Sequence, residues 1–199
     1  MKAKIIFALL FAFASTIASA EQIDGLRKSA ESGDEKAMYI LGEHYKYGFG
    51  GVEKDEEEAV YWYRKLADSG SPWGQDALGD CYREGIGVAQ NYEKAVYWYK
   101  IAADQGVGSS QDSLSECYYE GQGVEKDEQE SFKWLEKAAI SNSMNSVLKL
   151  GLYYAAGIGV PKNIEQAITW VRKAAEGDSA IAQCILGLSY ISGNGVPLS

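Results

Sequence analysis

Catalysis by a nucleophile and a histidine base would depend on a single residue of this sequence. His44 is the only histidine, so a serine or cysteine nucleophile with a histidine base would have to use it. The corresponding position of later, similar segments holds cysteine, tyrosine or serine, and such interchange is typical of packing rather than of catalysis. The sequence therefore predicts a protein that is not an enzyme.

Two acidic runs, EKDEEE at 53–58 and EKDEQE at 125–130, invite comparison with metal sites. Neither has the alternating ligands, central glycine and terminal glutamate of a calcium loop. Asp55 with Glu58, and Asp127 with Glu130, instead have the spacing of helix-capping boxes, and negative charge is favourable at a helix N-terminus. The runs predict helix starts, with no metal and no cofactor.

Residues 1–20 have the features of a secretory signal. Lys2 and Lys4 precede an apolar core at 5–13, and small residues at 18–20 precede Glu21. This pattern predicts cleavage after Ala20, a periplasmic or secreted protein, and no integral membrane span once the signal is removed. An uncleaved anchor is the alternative, although the apolar run is short for a membrane span.

The charge of the chain excludes some classes of partner. The formal net charge is −9, and losing Lys2 and Lys4 with the signal makes it −11. Binding to nucleic acids and to anionic membranes depends largely on lysine and arginine. Neither is predicted as a partner.

Comparison of the sequence with itself shows a repeat of 36 residues, lengthened once by an extra glycine at Gly50-Gly51. The segment LGEHYKYGFGGVEKDEEEAVYWYRKLADSG, which starts at Leu41, recurs in similar form from Leu78, Leu114 and Leu150, and half of it recurs from Leu186. The predicted divisions of residues 21–199 are a half repeat at 21–35, full repeats at 36–71, 72–108, 109–144 and 145–180, and a half repeat at 181–199.

Each unit predicts two helices. A leucine and a tyrosine four residues apart lie on one face of a first helix, helix A. Glycines are predicted to end helix A as left-handed caps, namely Gly48, Gly85, Gly121, Gly157 and Gly193. N-caps are predicted to begin the second helix, helix B, namely Asp55, Asn91, Asp127 and Asn163. Recurrent tryptophans on helix B predict a packed core, namely Trp62, Trp98, Trp134 and Trp170.

The combined pattern A-x-x-x-L-G-x-x-Y-x-x-G-x-G-V-x-x-D-x-x-x-A-x-x-W-x-x-K-A-A-x-x-G resembles the Sel-one-like repeat (SLR), a branch of the tetratricopeptide superfamily. It extends over about residues 22–197, with departures such as Ser115 for glycine and Ser131 for alanine. The resemblance implies an all-α fold, a right-handed superhelical solenoid of stacked antiparallel helix pairs. It also implies a protein–protein interaction module, since members of this family typically hold other proteins in a concave groove.

By similarity to tetratricopeptide helices, three residues of each helix A are predicted to line that groove. These positions are Tyr39, Glu43, Lys46, Asp76, Asp80, Arg83, Asp112, Glu116, Tyr119, Leu148, Leu152, Ala155, Cys184, Leu188 and Ile191, and all of them except Ala155 and Cys184 are predicted partner-binding residues. The first units offer carboxylates and the last offer apolar side chains, which predicts a partner with a mixed apolar and basic contact surface. Alternatively, these apolar residues reflect a tighter curvature of the superhelix, or the C-terminal tail covers them.

Trp73 has no tryptophan counterpart in the other units. Tryptophan is enriched at interaction hot spots, so Trp73 is either a surface hot spot or a local plug between repeats. The half repeat at the C-terminal end either caps the solenoid or docks a second copy, which would give a homodimer.

Cys81 and Cys117 lie at equivalent positions of neighbouring units. Packed helices are about 8–10 Å apart, whereas a disulfide requires Cα atoms about 4.4–6.8 Å apart. Two buried thiols are expected, and a bridge formed by local tilt is the alternative. Cys184 lies on another face and is the better candidate for a free thiol.

The function predicted from sequence is an exported module that binds a protein partner in its groove, with an immunity or inhibitor protein of a secreted effector as its most specific form. The alternative is a general envelope adaptor or host-contact factor. Some cysteine-rich members of the resembled family bind or hydrolyse β-lactams, but this chain lacks their regularly paired cysteines. A nitrocefin assay tests that alternative.

Overall fold

The computed structural model describes residues 21–141, 144–177 and 179–192, with side chains to residue 188 apart from Met144. The predicted signal at 1–20 and the predicted cap Gly193 lie outside these ranges. Residues 21–31 form helix α1. The following helices are α2 (Glu35–Tyr47), α3 (Glu56–Asp68), α4 (Pro72–Glu84), α5 (Tyr92–Asp104), α6 (Gly108–Glu120), α7 (Glu128–Ile140), α8 (Met144–Ala156), α9 (Ile164–Glu176) and α10 (Ala180–Ser192).

Regular structure in the described ranges is helical throughout, which confirms the all-α class. Even-numbered helices from α2 onward are helices A of the repeat, and odd-numbered helices from α3 are helices B. The chain forms two compact units, one extending to Asn91 and the other beginning at Tyr92. Within the first unit α3 packs on α2 and α4, and within the second each helix from α5 to α10 packs on the next.

Left-handed glycines end helix A, as the repeat predicts. Gly48, Gly85 and Gly121 have φ of 73°, 75° and 74°, and the Gly48 N–H donates to the His44 carbonyl at 2.8 Å. Gly157 repeats this geometry at the end of α8, with φ of 81°. Glycine adopts this conformation without the steric cost that a side chain would impose.

Asp55, Asp127 and Asn163 cap the helices that follow them, each accepting from a backbone N–H of the first turn at 2.9–3.0 Å. The reciprocal half of the predicted capping boxes is replaced by other contacts. Glu58 accepts from the Trp62 indole N–H at 3.1 Å, and Glu130 accepts from Lys133 Nζ at 2.5 Å. The acidic runs thus start helices through their aspartates. The cap at Asn91 stays a prediction.

The deepest large side chain of helix B is the residue after the tryptophan, which sequence reasoning missed. Trp62 and Trp134 are buried as predicted, but Trp98 and Trp170 are only half-buried. The residues that follow the four tryptophans are all buried, namely Tyr63, Tyr99, Leu135 and Val171. Trp98 and Trp170 thus lie nearer the surface than the residues that follow them.

The third repeat replaces a glycine and an alanine of the pattern with two serines that bond to each other. Ser131 Oγ donates to the Ser115 carbonyl at 2.7 Å and lies 3.1 Å from Ser115 Oγ and 2.9 Å from Tyr153 Oη. Both serines are buried. The two departures from the repeat are therefore one coupled change.

We expect Ser131→Ala to lower the free energy of unfolding by about 1–3 kcal/mol, because it removes a partner of a buried hydroxyl. Ser115→Ala in addition should cost little more, since it removes the buried hydroxyl that Ser131→Ala leaves without its partner. Urea denaturation of the two single variants and the double variant measures this coupling. Additive losses would show that the two hydroxyls act independently.

Candidate functional site

The predicted groove residues of the first unit form one surface, the α2/α4 face, which consists of Tyr39, Glu43, Lys46, Asp76, Asp80 and Arg83. Tyr39 is 39% exposed and the other five are half-buried. The Arg83 guanidinium lies 3.3 Å from Asp80 Oδ1 and 2.9 Å from Glu84 Oε1. The face therefore carries an aromatic side chain among charged ones.

Tyr39 lies in an acidic environment. Its ring centroid is 6.1 Å from that of Tyr63, whose hydroxyl donates to Glu43 Oε1 at 2.6 Å. Burial raises the pKa of Tyr39, and the carboxylates of Glu43 and Asp76 raise it further, while Lys46 lowers it. A cationic side chain would meet favourable electrostatics here.

Trp73 borders a cleft beside this face. The side chain is 61% exposed, so the structure favours a surface position over a plug. The cleft has a volume of about 510 Å³ and is lined by Glu35, Lys36, Tyr39, Leu66, Ser71 and Trp73. Two aromatic rings and an aliphatic side chain thus share one concave surface with charged residues at its edge.

The predicted groove residues of the second unit from α6 and α8 form another surface, the α6/α8 face, which consists of Asp112, Glu116, Tyr119, Leu148, Leu152 and Ala155. Lys149 Nζ donates to Asp112 Oδ2 at 2.7 Å and to Glu116 Oε1 at 2.5 Å. Ser146 Oγ also donates to Asp112, at 3.0 Å. A partner's cation would have to compete with Lys149 for these two carboxylates.

We expect Lys149 to stabilise α6 against α8 in a pH-dependent way. Burial lowers the pKa of Lys149, but the hydrogen bonds that its ammonium donates to Asp112 and Glu116 outweigh this effect, so the pKa lies above its ordinary value of 10.5. The charged lysine therefore contributes stability that is fully present below about pH 10.5 and is lost as pH rises through the folded pKa. The contribution is modest, about 0.5–1 kcal/mol, because the pair is partly exposed.

Urea denaturation of wild type and Lys149→Met between pH 7 and 11.5 measures this contribution. The difference between them should stay constant to about pH 10 and shrink above it. Comparing the unfolding free energies of the two proteins at each pH removes the contribution of the other lysines and tyrosines, because these titrate in both proteins. A difference that grows with pH would contradict the assignment.

Leu152 is the apolar centre of the α6/α8 face. It is 46% exposed and lies between two clefts. One cleft of about 460 Å³ is lined by Ser115, Glu116, Tyr119, Glu120, Gln122, Lys149, Leu152, Tyr153 and Ile158. The other, of about 200 Å³, is lined by Gly151, Leu152, Ala155, Ile164, Ala167, Ile168, Val171, Ile185 and Leu186.

The other predicted apolar residues differ in their exposure. Leu148 is partly buried and packs against the core cluster around Leu135 and Leu150, so its main contacts are structural. Leu188 on α10 is 65% exposed. Ile191 lies in α10, but its side chain is outside the described set. Leu152 is therefore the apolar residue that the α6/α8 face presents beside a cleft.

Two of the cysteines are buried, and the histidine packs against a linker. Cys81 and Cys117 each hold a buried thiol, and Cys184 is exposed. Burial raises the pKa of Cys81 to about 12, which suppresses the reactive thiolate. His44 is half-buried, and a Cβ at Gly50 would lie 2.4 Å from its Nδ1, so the first linker packs over the imidazole.

Two further findings concern metals and membranes. In residues 21–141, 144–177 and 179–192, no group of three or more histidine, cysteine, aspartate or glutamate side chains is placed to hold a metal ion. None of the helices in those ranges has the length and hydropathy needed to cross a membrane.

Lys149 is the site residue that sequence reasoning missed. It lies one residue before the conserved leucine, where the other units have isoleucine, alanine, serine and isoleucine. A charged residue at a position otherwise occupied by small or apolar ones was the available signal. The partners of that charge are 33 and 37 residues away, beyond the reach of local patterns.

Comparison with known proteins identifies the repeat. A family model described as "Sel1 repeat" matches residues 35–71, 74–107, 108–143 and 146–179. The ERAD-associated E3 ubiquitin-protein ligase component HRD3A of Arabidopsis thaliana, a curated protein, is 34% identical over 67 residues, which are 34% of this chain and 10% of that protein. The match thus spans a small part of this curated relative.

Solved structures give the same fold. A protective antigen of uropathogenic Escherichia coli with an SLR fold superposes with a TM-score of 0.83 at 38% identity, over 88% of this chain and 38% of that one. A Sel1 repeat protein from Oxalobacter formigenes gives a TM-score of 0.77 at 30% identity, over 88% of this chain and 77% of that one. These similarities confirm the predicted solenoid of stacked helix pairs.

Proposed function

Because the chain belongs to the Sel1 repeat family, whose repeats are protein–protein interaction modules, we propose that it is an exported module that holds a protein partner on its helix A faces. The observation that carries the proposal is Leu152, an exposed leucine between two clefts of a repeat protein. Apolar side chains that border concave surfaces are typical of protein-binding sites.

The partner on the α6/α8 face inserts an apolar side chain beside Leu152. Tyr119 and Tyr153 supply the aromatic wall of the larger cleft, with ring centroids 5.9 Å apart. Glu116, Glu120 and Lys149 at the same cleft provide charges of both signs, which suits a partner whose apolar residue is flanked by polar ones. A partner that fits this cleft needs an apolar side chain with polar neighbours, which is more specific than the basic contact surface expected from the carboxylates alone.

Export rests on the signal pattern at 1–20 and agrees with the antigen character named for the E. coli relative. The immunity or inhibitor role and the envelope adaptor role both require such export. The plant relative is named as a component of a ligase complex, which favours an assembly role of the adaptor type.

Affinity capture of the tagged protein from envelope and secreted fractions tests the proposal. We expect one stoichiometric partner with wild type and a loss of at least about tenfold with Leu152→Asp, since a buried charge opposes docking. Ile140→Asp is the matched control, because Ile140 is an aliphatic residue of the same unit, 68% exposed and outside both clefts. Circular dichroism verifies that both variants remain folded.

The identity of the partner decides between the two roles. A toxic enzyme as the captured partner supports immunity, and a resident envelope protein supports the adaptor role. Recovery of the same proteins with Leu152→Asp and wild type, or of none, would overturn the assignment of the α6/α8 face.

A further inference from the structure

Trp73 differs from the helix B tryptophans in the sign of the charged residue that lies one turn later on its helix. Three of those tryptophans have a lysine one turn later whose ammonium lies over the indole ring. The distances from Nζ to the ring centroid are 5.2 Å for Lys65 and Trp62, 3.8 Å for Lys137 and Trp134, and 5.1 Å for Lys173 and Trp170. Trp73 has Asp76 at the corresponding position, so its own helix provides a carboxylate in place of a cation.

The surroundings of Trp73 favour positive charge. Residues three apart on a helix are neighbours, which places Asp76 next to the exposed indole. Glu35 lines the same cleft, and the carboxylates of Glu43 and Asp76 raise the pKa of Tyr39, which also lines it. An aromatic face attracts a cation through its quadrupole, and nearby carboxylates strengthen that attraction.

Ser71 adds an unsatisfied polar atom to this cleft. The residue is 3% exposed, and its Oγ has no hydrogen-bond partner in the described parts of the chain. Ser71 is the N-cap of α4, but its side chain does not accept from the helix. A rotation about χ1 would let this hydroxyl accept from a donor that enters the cleft.

We propose that the Trp73 cleft, formed by Glu35, Lys36, Tyr39, Leu66, Ser71 and Trp73, accepts an arginine side chain from the partner protein. The guanidinium stacks on the Trp73 indole, its charge is paired by Asp76 and Glu35, and one N–H reaches Ser71 Oγ. The planar guanidinium stacks on aromatic faces and carries several donors, which favours arginine over lysine. The methylene stem of the arginine packs against Tyr39 and Leu66.

The alternative ligand chemistry, an anion, is opposed by the same residues. The first turns of α2 and α4 border the cleft, and their partial positive charges would favour an anion. Glu35 occupies the first turn of α2 and offsets the positive charge of that helix end, while Asp76 places a further carboxylate one turn after Trp73 on α4. The net charge of −9 further disfavours an incoming anion. Lys36 lines the cleft and competes with the arginine.

An NMR titration of the 15N-labelled protein tests the proposal. The probe is the peptide acetyl-Gly-Arg-Gly-amide, and the control peptide has citrulline, which is isosteric and uncharged, in place of arginine. We expect the Trp73 indole N–H resonance to shift saturably with the arginine peptide, and the citrulline peptide to bind at least about threefold more weakly. The Trp73 resonance is assigned by its loss in Trp73→Phe.

Protein variants test whether the arginine peptide binds at the Trp73 cleft or is attracted only by the negative charge of the whole protein. Asp76→Asn should weaken binding at least about threefold, and Lys36→Met should strengthen it. Glu57→Gln is the matched control, because it removes the same charge from a different cleft of the first unit. Equal weakening by Asp76→Asn and Glu57→Gln, equal binding of the two peptides, or an unmoved Trp73 resonance would overturn the proposal.

The inference rests on the proposed function in requiring a protein partner, but its test does not depend on partner capture. Loss of capture with Leu152→Asp and an unmoved Trp73 resonance would retain the α6/α8 face and reject the arginine site. Arginine binding at Trp73 with no captured partner would support the arginine site and reject the α6/α8 face as a docking surface.

Discussion

Replacing Tyr63 with alanine is expected to lower the free energy of unfolding by about 3–5 kcal/mol, as for other large aromatic side chains in protein cores. Tyr63 is 1% exposed, and its hydroxyl donates to Glu43 at 2.6 Å. Removing the ring leaves a cavity between α2 and α3 and an unpaired acceptor beside it. Thermal and urea denaturation measure the loss.

Tyr61 is the matched control, two residues earlier on the same helix. It is 53% exposed, and its ring contacts Trp62 edge to face at 5.1 Å. Tyr61→Ala should cost less than about 1 kcal/mol, the range of a single aromatic contact at the surface. Equal losses from Tyr61→Ala and Tyr63→Ala would show that the position after the tryptophan is not the core position.

The cost of Tyr63→Ala should also depend on Gly42. A Cβ at Gly42 would lie 2.3 Å from Tyr63 Cε1, so the glycine makes room for the ring. Gly42→Ala is therefore destabilising in wild type but should be tolerated once the ring is gone. We expect the double variant to lose at least about 1 kcal/mol less than the sum of the single losses.

Gly123→Ala is expected to destabilise the second unit by about 2–4 kcal/mol, combining left-handed strain with a backbone collision. Gly123 has φ of 73°, and a Cβ there would lie 2.3 Å from the carbonyl carbon and oxygen of Tyr92. The linker of one repeat thus rests directly on the first turn of the preceding helix B. Gly159 is in the same relation to Glu128, and Gly87 to Glu56 within the first unit.

Gly121→Ala separates the two contributions. Gly121 has φ of 74°, but a Cβ there would be 3.3 Å from the nearest atom, Lys126 Cβ. This variant should show mainly the strain, about 1–2 kcal/mol, because Lys126 has to shift only slightly to accept the Cβ. Urea denaturation of both variants gives the difference. If Gly121→Ala and Gly123→Ala lose equal stability, close backbone approach is not what requires the second glycine.

The local signals of the sequence predicted the helix boundaries well. Left-handed glycines end α2, α4 and α6, and Asp55, Asp127 and Asn163 start α3, α7 and α9. Each of these interactions joins residues within one turn, so spacing along the chain determines it. Recurrence at a fixed period then identifies the solenoid, because each helix pair can bury its apolar face only against its neighbours.

The candidate sites were predicted less completely. The periodic stripe indicated which residues of helix A share a face, and Tyr39 and Leu152 among them are exposed in the structure. It did not show that Leu148 packs on the core or that Lys149 already pairs with Asp112 and Glu116. Those contacts cross from one repeat to the next, and a pattern within a repeat carries no information on them.

The amino-acid sequence alone determined the repeat, the helices and their caps, because each depends on hydrogen bonds and periodicity over a few residues. Only the tertiary structure decided which aromatic residue of helix B is deepest, why Gly123 is needed, and where Trp73 lies. It also showed that Gln75 and Gln111 are buried and donate to carbonyls near the end of the preceding helix, at 3.5 and 3.0 Å. The physical reason is that the rotation and spacing of successive helices set these contacts, and both arise from the packing of all the side chains together.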